Sequence, residues 1–316
     1  MSTLPNTLVV STAESGQKLL QFLQRRLRLP PMLLHRWIRT GQTRVNGGRS
    51  KPFTRLTASD AVRLPPFAAD MARQGGAVFP RDAADAIPPP LERHPPDNAR
   101  CLSVVGVHGD IWALFKPAGL PTHPGSGHTD SLATRLVQRY AAVPFKPTPA
   151  HRLDKDTSGI LLVAASFTAL RELHEALRGR ELGKEYVAWV RGRWPYLDTR
   201  TLRHCLGKTP DRERESLCVA KPLIAGEAES LILIRLITGR THQIRLQTAS
   251  IGHPVVGDVK YGAASSGPMY LHALRVTLPD GKIFACLPDW PAKHALSDLP
   301  KQIPLQISLV KGCDHA

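Results

Sequence analysis

The chain has 316 residues, of which 42% are hydrophobic, enough apolar side chain for one large core or two smaller ones. Its formal net charge of +16 favours a polyanionic partner, either a nucleic acid or an anionic membrane surface. No stretch approaches the roughly 20 uninterrupted apolar residues of a membrane span, and the amino terminus lacks the pattern of a signal peptide. We therefore expect a soluble, cytoplasmic protein of two domains with no membrane partner.

The cysteines and histidines predict neither disulfides nor a metal site. The five cysteines are odd in number, lie far apart and include no Cys-x-x-Cys pair. The thirteen histidines include no His-x-x-x-His or His-Glu-x-x-His spacing. We expect reduced, structural thiols and no bound metal.

The first 64 residues predict a small basic module. Apolar residues recur at helical spacing from Gly16 to the prolines at 30 and 31, and again over residues 32–40, and a strand then enters an Asn-Gly turn at residues 43–47. Eleven Lys or Arg residues face one acidic residue, Asp60, between positions 15 and 64. A solvated basic face is one interpretation, but the interleaving of these cations with a compact core favours RNA. The arginines that we predict to contact RNA are Arg25, Arg26, Arg36, Arg39, Arg44 and Arg49.

A second domain follows after a linker. Residues 65–100 contain eight prolines and eight alanines with little periodicity, which predicts a semi-rigid linker that leaves the orientation of the basic module unfixed. Residues 192–230 are polar and show little regular pattern. Elsewhere the periodicity predicts strands at 102–107, 111–115 and 231–237 and helices at 131–140 and 168–178.

A polar cluster at residues 151–159 runs straight into an apolar stretch, 160–165, that is typical of a buried strand. The cluster offers one cation, Arg152, and two carboxylates, Asp154 and Asp156, and its Thr-Ser-Gly sequence can turn the backbone before the strand. A solvated loop is the plainer interpretation, and composition alone favours it.

Two later stretches place polar side chains on regular elements. Apolar and polar side chains alternate over residues 184–191, which predicts a strand on which Tyr186 points inward. A tyrosine at such a position usually packs in the core. Residues 242–250 predict a helix with His242 and Arg245 on one face, so that a guanidinium projects from a rigid element.

These motifs resemble those of the RluA family of pseudouridine synthases, enzymes that isomerise uridine in RNA. The first 64 residues are similar to the S-four-type RNA-binding domain, whose pattern ends in Ile-x-x-Gly-x-x-x-Val-Asn-Gly, as residues 38–47 do here. The resemblance to the synthases rests on Lys116-Pro117-Ala118-Gly119, on His151-Arg152-Leu153-Asp154 with Thr157-Ser158-Gly159, on Lys184-Glu185-Tyr186, and on Gly239-Arg240-Thr241-His242-Gln243-Ile244-Arg245 with Gly257-Asp258 and Tyr261-Gly262.

The resemblance implies an α+β fold, in which a largely antiparallel, mixed central sheet is preceded by the small basic α/β RNA-binding domain. The implied boundaries are 1–64 for the RNA-binding domain, 65–100 for the linker and 101–316 for the catalytic domain. The implied catalytic residues are Asp154, Tyr186 and Arg245, and the implied substrate-binding residues are Arg152, His151, Arg240, His242 and Thr157.

The implied reaction breaks the bond from ribose to uracil nitrogen, rotates the uracil and rejoins it through carbon 5. It needs no redox change and no group transfer, so we expect no cofactor. Asp154 attacks the sugar, attacks the base or removes a ribose proton, while Arg245 keeps it ionised and Tyr186 helps to move the carbon-5 proton. Because the base must leave its stack, the resemblance nominates Arg152 to fill the vacancy; a phosphate-binding or solvated arginine is the alternative.

The expected partner is RNA, with ribosomal RNA favoured over transfer RNA by the tethered basic module, and the protein is expected to be a monomer. Two other functions fit part of the pattern. A catalytically silent RNA-binding or ribosome-assembly protein would not need the intact Asp154, Tyr186 and Arg245. A uridine-directed glycosylase or a nuclease shares carboxylate chemistry near the anomeric carbon, but the first would liberate uracil and a metal-dependent nuclease would be inhibited by EDTA.

Overall fold

The computed structural model describes residues 6–68, 71–72, 103–125, 130–206, 214–262 and 267–296. Most of the predicted linker at residues 65–100 lies outside these ranges, as do Cys101 and Cys313. No helix within them combines the length and the apolar composition that crossing a membrane requires.

The N-terminal module packs two short helices on a three-stranded sheet. Residues that share one stripe of each helix, such as Phe22 and Trp37, are buried in a core of their own. The first helix ends where Arg28 adopts a left-handed conformation (φ 53°), and Pro31 begins the second helix, one residue earlier than the sequence predicts. The elements are β1 (Thr7–Val9), α1 (Leu19–Leu27), α2 (Pro31–Arg39), β2 (Arg44–Val45) and β3 (Ala61–Arg63), with β3 between β1 and β2 and both pairs antiparallel.

The module contacts the rest of the chain through α1 and the turn before it. The Arg25 guanidinium lies 4.8 Å from the ring centroid of Phe145, and its Nη1 donates to Thr148 Oγ1 at 3.5 Å. Arg26 forms a two-point ion pair with the buried Glu14 at 2.6 and 2.8 Å. The contacts of Arg25 therefore join the module to residues 145 and 148, whereas the pair of Arg26 with Glu14 lies within the module itself.

The second part of the chain is built on one large mixed sheet. In spatial order its strands run β4-β5-β7-β12-β8-β11-β10-β9, with β6 beside β7 and β13 beside β12. Only β7 and β12 are parallel among the described pairs, which confirms the predicted α+β fold with a largely antiparallel mixed sheet. The elements are β4 (Ser103–His108), β5 (Ile111–Lys116), α3 (Leu132–Arg139), β6 (Thr148–Pro149), β7 (Ser158–Ala164), α4 (Phe167–Gly179), β8 (Gly183–Arg191), β9 (Arg200–Leu206), β10 (Arg214–Ala225), β11 (Glu229–Leu236), α5 (Gln243–Ser250), β12 (Leu271–Thr277) and β13 (Ile283–Ala285).

The strands β9 and β10 occupy the segment that shows little pattern in the sequence. They pair antiparallel at the sheet edge, and β10 also pairs with β11. Their apolar side is formed by isolated or small residues such as Leu202, Cys218 and Ala220, and a register shift falls between Pro222 and Ile224. A strict alternation of large apolar residues is therefore absent, although the strands are long.

Gly159 allows the parallel strands β7 and β12 to approach each other closely. Its φ is 113°, and a Cβ built on it would lie 2.3 Å from the carbonyl oxygen of Ala273. Only glycine fits both the backbone conformation and this contact. The polar loop before β7 is therefore anchored to the centre of the sheet.

We predict that Gly159→Ala lowers the free energy of unfolding by about 3 kcal/mol or more, because strain and overlap with Ala273 add together. Gly109→Ala is the matched control, since Gly109 also has a positive φ (54°) but nothing lies within 4 Å of its added Cβ. That control should cost only about 1 kcal/mol. Urea unfolding measures both, and equal losses would show that the contact is not tight.

Candidate active site

A cavity of about 520 Å³ opens where several elements begin or end together. Because β8 and β11 are antiparallel, the start of β8 lies beside the end of β11, and the turn that follows leads into α5. The loop before β7 closes another side. The eight residues that the sequence predicts for catalysis and substrate binding all line this cavity, namely His151, Arg152, Asp154, Thr157, Tyr186, Arg240, His242 and Arg245.

Asp154 and Arg245 form an ion pair inside the cavity. Arg245 Nη1 lies 3.4 Å from Asp154 Oδ2, and the Asp154 side chain is 15% exposed. The loop that carries Asp154 is fixed by Thr122, whose Oγ1 donates to the Leu153 carbonyl and accepts from the Leu153 N–H. Leu153 itself is buried, as expected of a residue that keeps the carboxylate partly dry.

Asp258 holds the guanidinium of Arg245 from the other side. Arg245 Nε and Nη2 donate to its two oxygens at 2.7 and 2.8 Å, and the Asp258 side chain is fully buried. Burial raises the pKa of Asp258, but the hydrogen bonds from Arg245 and from the Lys260 N–H lower it further, so the net shift is downward. The carboxylate stays ionised and leaves Nη1 of Arg245 for Asp154.

The sequence interpretation assigns no role to Asp258, although it lies in the matched Gly-Asp motif. Gly257 before it has a φ of 83°, and a Cβ there would lie 1.9 Å from the carbonyl oxygen of Pro268. The glycine thus turns the chain so that the buried carboxylate faces Arg245. Pairing a lone acid with a lone arginine thirteen residues apart requires a tertiary fold, which periodicity does not supply.

His242 and Tyr261 add a second layer around the ion pair. His242 is left-handed (φ 54°) just before α5, with Nε2 3.8 Å from Asp154 Oδ1 and Nδ1 2.8 Å from the Tyr261 hydroxyl. The Tyr261 ring centroid lies 5.1 Å from the guanidinium carbon of Arg245. Burial lowers the pKa of His242 and outweighs the opposing charge of Asp154, so the imidazole is neutral at pH 7.

Tyr186 points into the cavity from β8, in register with Ile234 on one neighbouring strand and Ala273 on the other. It is 8% exposed. Burial, and then the negative charge of Asp154, raise the pKa of Tyr186, so its phenol stays protonated. A buried hydroxyl is thereby placed near the carboxylate.

Lys116, a buried base, holds the loop of Asp154 from behind. Lys116 Nζ donates to the carbonyls of Pro117, Leu120 and Lys155 at 2.8, 2.8 and 2.9 Å, which ties the Lys-Pro-Ala-Gly turn to the loop of Asp154. Burial lowers the pKa of Lys116 to about 7, while the nearby carboxylates oppose the fall. Since three acceptors use all three hydrogens of an ammonium, the bound form is the cation.

His151 also has a partner within the protein. Its Nε2 accepts a hydrogen bond from the N–H of Leu162 at 3.1 Å, and burial and the charge of Lys184 lower its pKa to about 4. The side chain is therefore a neutral wall of the cavity.

The arginines of the N-terminal module fall into two groups. Arg36, Arg39 and Arg49 line an open groove of about 600 Å³ on α2 and the following loop, and Arg44 donates weakly to the carbonyls of Gly41 and Gly47. Arg25 and Arg26 instead have the intramolecular partners described above. The groove therefore presents Arg36, Arg39 and Arg49 to solvent.

Among the described residues, no three His, Cys, Asp or Glu side chains are grouped so as to hold a metal ion. The polar centre of the cavity consists instead of one carboxylate, the arginine clamped beside it, and a buried phenol. Residues 110–250 match the family model of the RNA pseudouridylate synthases. The chain belongs to this family of enzymes, which isomerise uridine in RNA, and the family membership expected from the sequence is confirmed.

Similar bacterial proteins cover most of the chain. It is 35% identical to ribosomal large subunit pseudouridine synthase C of Pasteurella multocida over 271 residues. The alignment covers 81% of this chain and 77% of that protein. The protein of the same name from Escherichia coli K12 is 34% identical over 267 residues, 81% of this chain and 79% of the relative. Among solved structures, human RNA pseudouridylate synthase domain containing 1 aligns with a TM-score of 0.51 at 27% identity, over 62% of this chain and 86% of that one.

We predict that Asp258→Asn lowers the free energy of unfolding by about 3 kcal/mol, because it removes the buried charge that Arg245 contacts at two points and leaves only the longer contact with Asp154. Asp289→Asn, the same change at an exposed position, should have no measurable effect. Because the fold lowers the pKa of Asp258, the loss is present in full above the ordinary pKa of 3.8 and shrinks as the pH falls below it. Urea unfolding across this pH range measures the difference; a loss that does not depend on pH would contradict the ion pair.

Proposed function

We propose that this enzyme uses Asp154 as its catalytic carboxylate and that its substrate is large-subunit ribosomal RNA. The observation that carries the catalytic assignment is the ion pair of Asp154 with Arg245, at the surface of a cavity whose volume falls within the roughly 300–1,000 Å³ of ligand sites. Asp154 is the one carboxylate among the cavity-lining residues.

Three first steps are open to Asp154 in this geometry. It adds to the anomeric carbon, adds to the uracil ring, or removes a proton from the ribose, and in each case it acts in its ionised form. Arg245 orients this carboxylate, and Asp258 fixes Arg245 in turn. When the bond to uracil nitrogen breaks, the bonding pair stays with the base.

Tyr186 lies where it can contact the detached base. After the base rejoins the sugar through carbon 5, the hydrogen on that carbon leaves as a proton and the freed nitrogen gains one, so the composition of the RNA is unchanged. A protonated, buried phenol is suited to orient the base and to hydrogen bond during this transfer. Its acidity is too low for it to be the resting base at pH 7.

The uridine must leave its stack to reach this cavity, at a cost of a few kcal/mol. Arg152 is exposed at the cavity and adjoins Leu153 and Asp154 in the chain. We assign it to the space left by the everted base. Thr157, Arg240 and His242 complete the contacts to the nucleotide.

The assignment to ribosomal RNA rests on three supports. The relatives are named for the ribosomal large subunit, the net charge is +16, and the groove of Arg36, Arg39 and Arg49 is open to solvent. The same supports favour action in the cytoplasm, where ribosomal RNA is made in bacteria, and we propose that the enzyme works as a monomer whose residues 1–64 bind RNA.

We predict that Asp154→Asn lowers the rate of pseudouridine formation by at least about 10³-fold, because the amide keeps the shape and loses the charge. Affinity for RNA should stay within about twofold, since cationic side chains supply it. Asp156→Asn is the matched control, an exposed carboxylate in the same loop that does not line the cavity. Nucleoside mass spectrometry and filter binding measure the two quantities; an active Asp154→Asn enzyme would falsify the assignment.

The substrate is tested by mapping pseudouridines in ribosomal and transfer RNA from cells with and without the protein. We expect specific sites in large-subunit ribosomal RNA to lose the modification and to regain it with the wild-type gene but not with Asp154→Asn. Loss of sites in transfer RNA alone would contradict the proposed substrate while leaving the catalytic assignment intact.

A further inference from the structure

Four cations from three elements meet at one rim of the cavity. Arg178 and Arg180 lie at the end of α4, which leads directly into β8 and Lys184. Lys184 stands opposite Leu236 in the pairing of β8 with β11, so it faces the turn that carries Arg240. A Cβ on Gly239 would lie 3.2 Å from Lys184 Nζ, which shows how closely the ammonium approaches that turn. We call these four residues the rim cluster.

The rim cluster has no counter-charge of its own. Within the described part of the chain, no hydrogen bond or ion pair is formed by the side chains of its four members. Arg240 Nε is buried and lacks an acceptor. The cavity as a whole is lined by six Lys or Arg side chains and by one carboxylate, Asp154, which Arg245 already contacts.

The position of Lys184 costs free energy because its charge is buried. The ammonium is largely buried, and burial alone lowers its pKa, with no nearby acid to oppose the fall. Lys116, by contrast, is buried with three carbonyl acceptors and two carboxylates nearby. A buried cation without a partner is a feature that stability does not explain, and it indicates a bound anion.

We propose that the rim cluster binds a phosphodiester group next to the target uridine. This rests on the proposed function, because an everted nucleotide rotates about its backbone and leaves its two flanking phosphates at the mouth of the cavity. Lys184 supplies a point charge and Arg240 a guanidinium fork, and neither side chain has another partner in the described part of the chain. Arg178 and Arg180, exposed at the end of α4, extend the site toward the next phosphate.

The proposal assigns the two ends of the nucleotide to different parts of the site. The sugar and base meet Asp154 and Tyr186, whereas the backbone meets Lys184, two residues before Tyr186 on the same face of β8. Binding of the phosphate would then fix the depth to which the base enters. This contact is separate from the arginine groove on the N-terminal module, which lies on α2.

The test compares the affinities of uridine and uridine 3′,5′-bisphosphate for the full chain, measured by titration calorimetry or ligand-observed NMR. We expect the wild type to bind the bisphosphate at least about tenfold more tightly, the size of one or two charge-assisted hydrogen bonds. Lys184→Met should remove at least about fivefold of that preference and leave the affinity for uridine unchanged, since only a phosphate contact is lost. Lys184→Arg should retain the preference, as should Lys282→Met, the same loss of charge at an exposed position away from the cavity.

Lys184→Met removes an unpaired buried charge, so it should unfold at the same temperature as the wild type or higher. Equal affinity of the wild type for the two ligands, or no measurable binding of the bisphosphate, would contradict the phosphate site. If Lys184→Met lowered the affinities for uridine and for the bisphosphate by the same factor, Lys184 would contact the nucleoside and not the phosphate. That result would also overturn the proposal. Because this binding needs no chemistry, a chain that prefers the bisphosphate but forms no pseudouridine would refute the proposed function alone.

Discussion

The site depends on one arginine that is shared between two carboxylates. Asp258 is fully buried and takes two of the nitrogens of Arg245, which leaves a third for the more exposed Asp154. A guanidinium that faced Asp154 alone would be free to move and to neutralise it through a close two-point contact. Clamped from behind, it contacts Asp154 through Nη1 and Oδ2 alone, and the other carboxylate oxygen lies 3.8 Å from His242 Nε2.

The central sheet positions both members of the Asp154–Arg245 pair. The loop of Asp154 enters β7 through Gly159, whose contact with Ala273 joins β7 and β12 in parallel at the centre of the sheet. On the other side, α5 follows β11 after a short turn, and Arg245 is a buried residue in the first turn of α5. Lys116 and Thr122 fix the intervening loops through backbone carbonyls, so the position of the carboxylate is set by several elements.

Periodicity predicted most of the regular elements, and the motifs that resemble the family supplied eight of the residues that line the cavity, but gave no role to Arg178 or Arg180. Periodicity did not predict β9 and β10, in which small and isolated apolar residues replace a strict alternation. Neither gave a role to Asp258, because a buried ion pair is a tertiary contact between residues with no local signature. Arg26 was expected on an RNA-binding face, yet it pairs with Glu14, which lies just outside the basic stretch that suggested the assignment.

The central claim is that the cavity isomerises uridine and does not excise it. The most direct measurement uses large-subunit ribosomal RNA labelled with tritium at carbon 5 of uridine, incubated with the wild-type enzyme in the presence of EDTA. We predict release of one tritium for each pseudouridine formed, undiminished by EDTA, with the mass of the unlabelled RNA unchanged. Free uracil in the products, or RNA that binds and releases no tritium, would contradict the account.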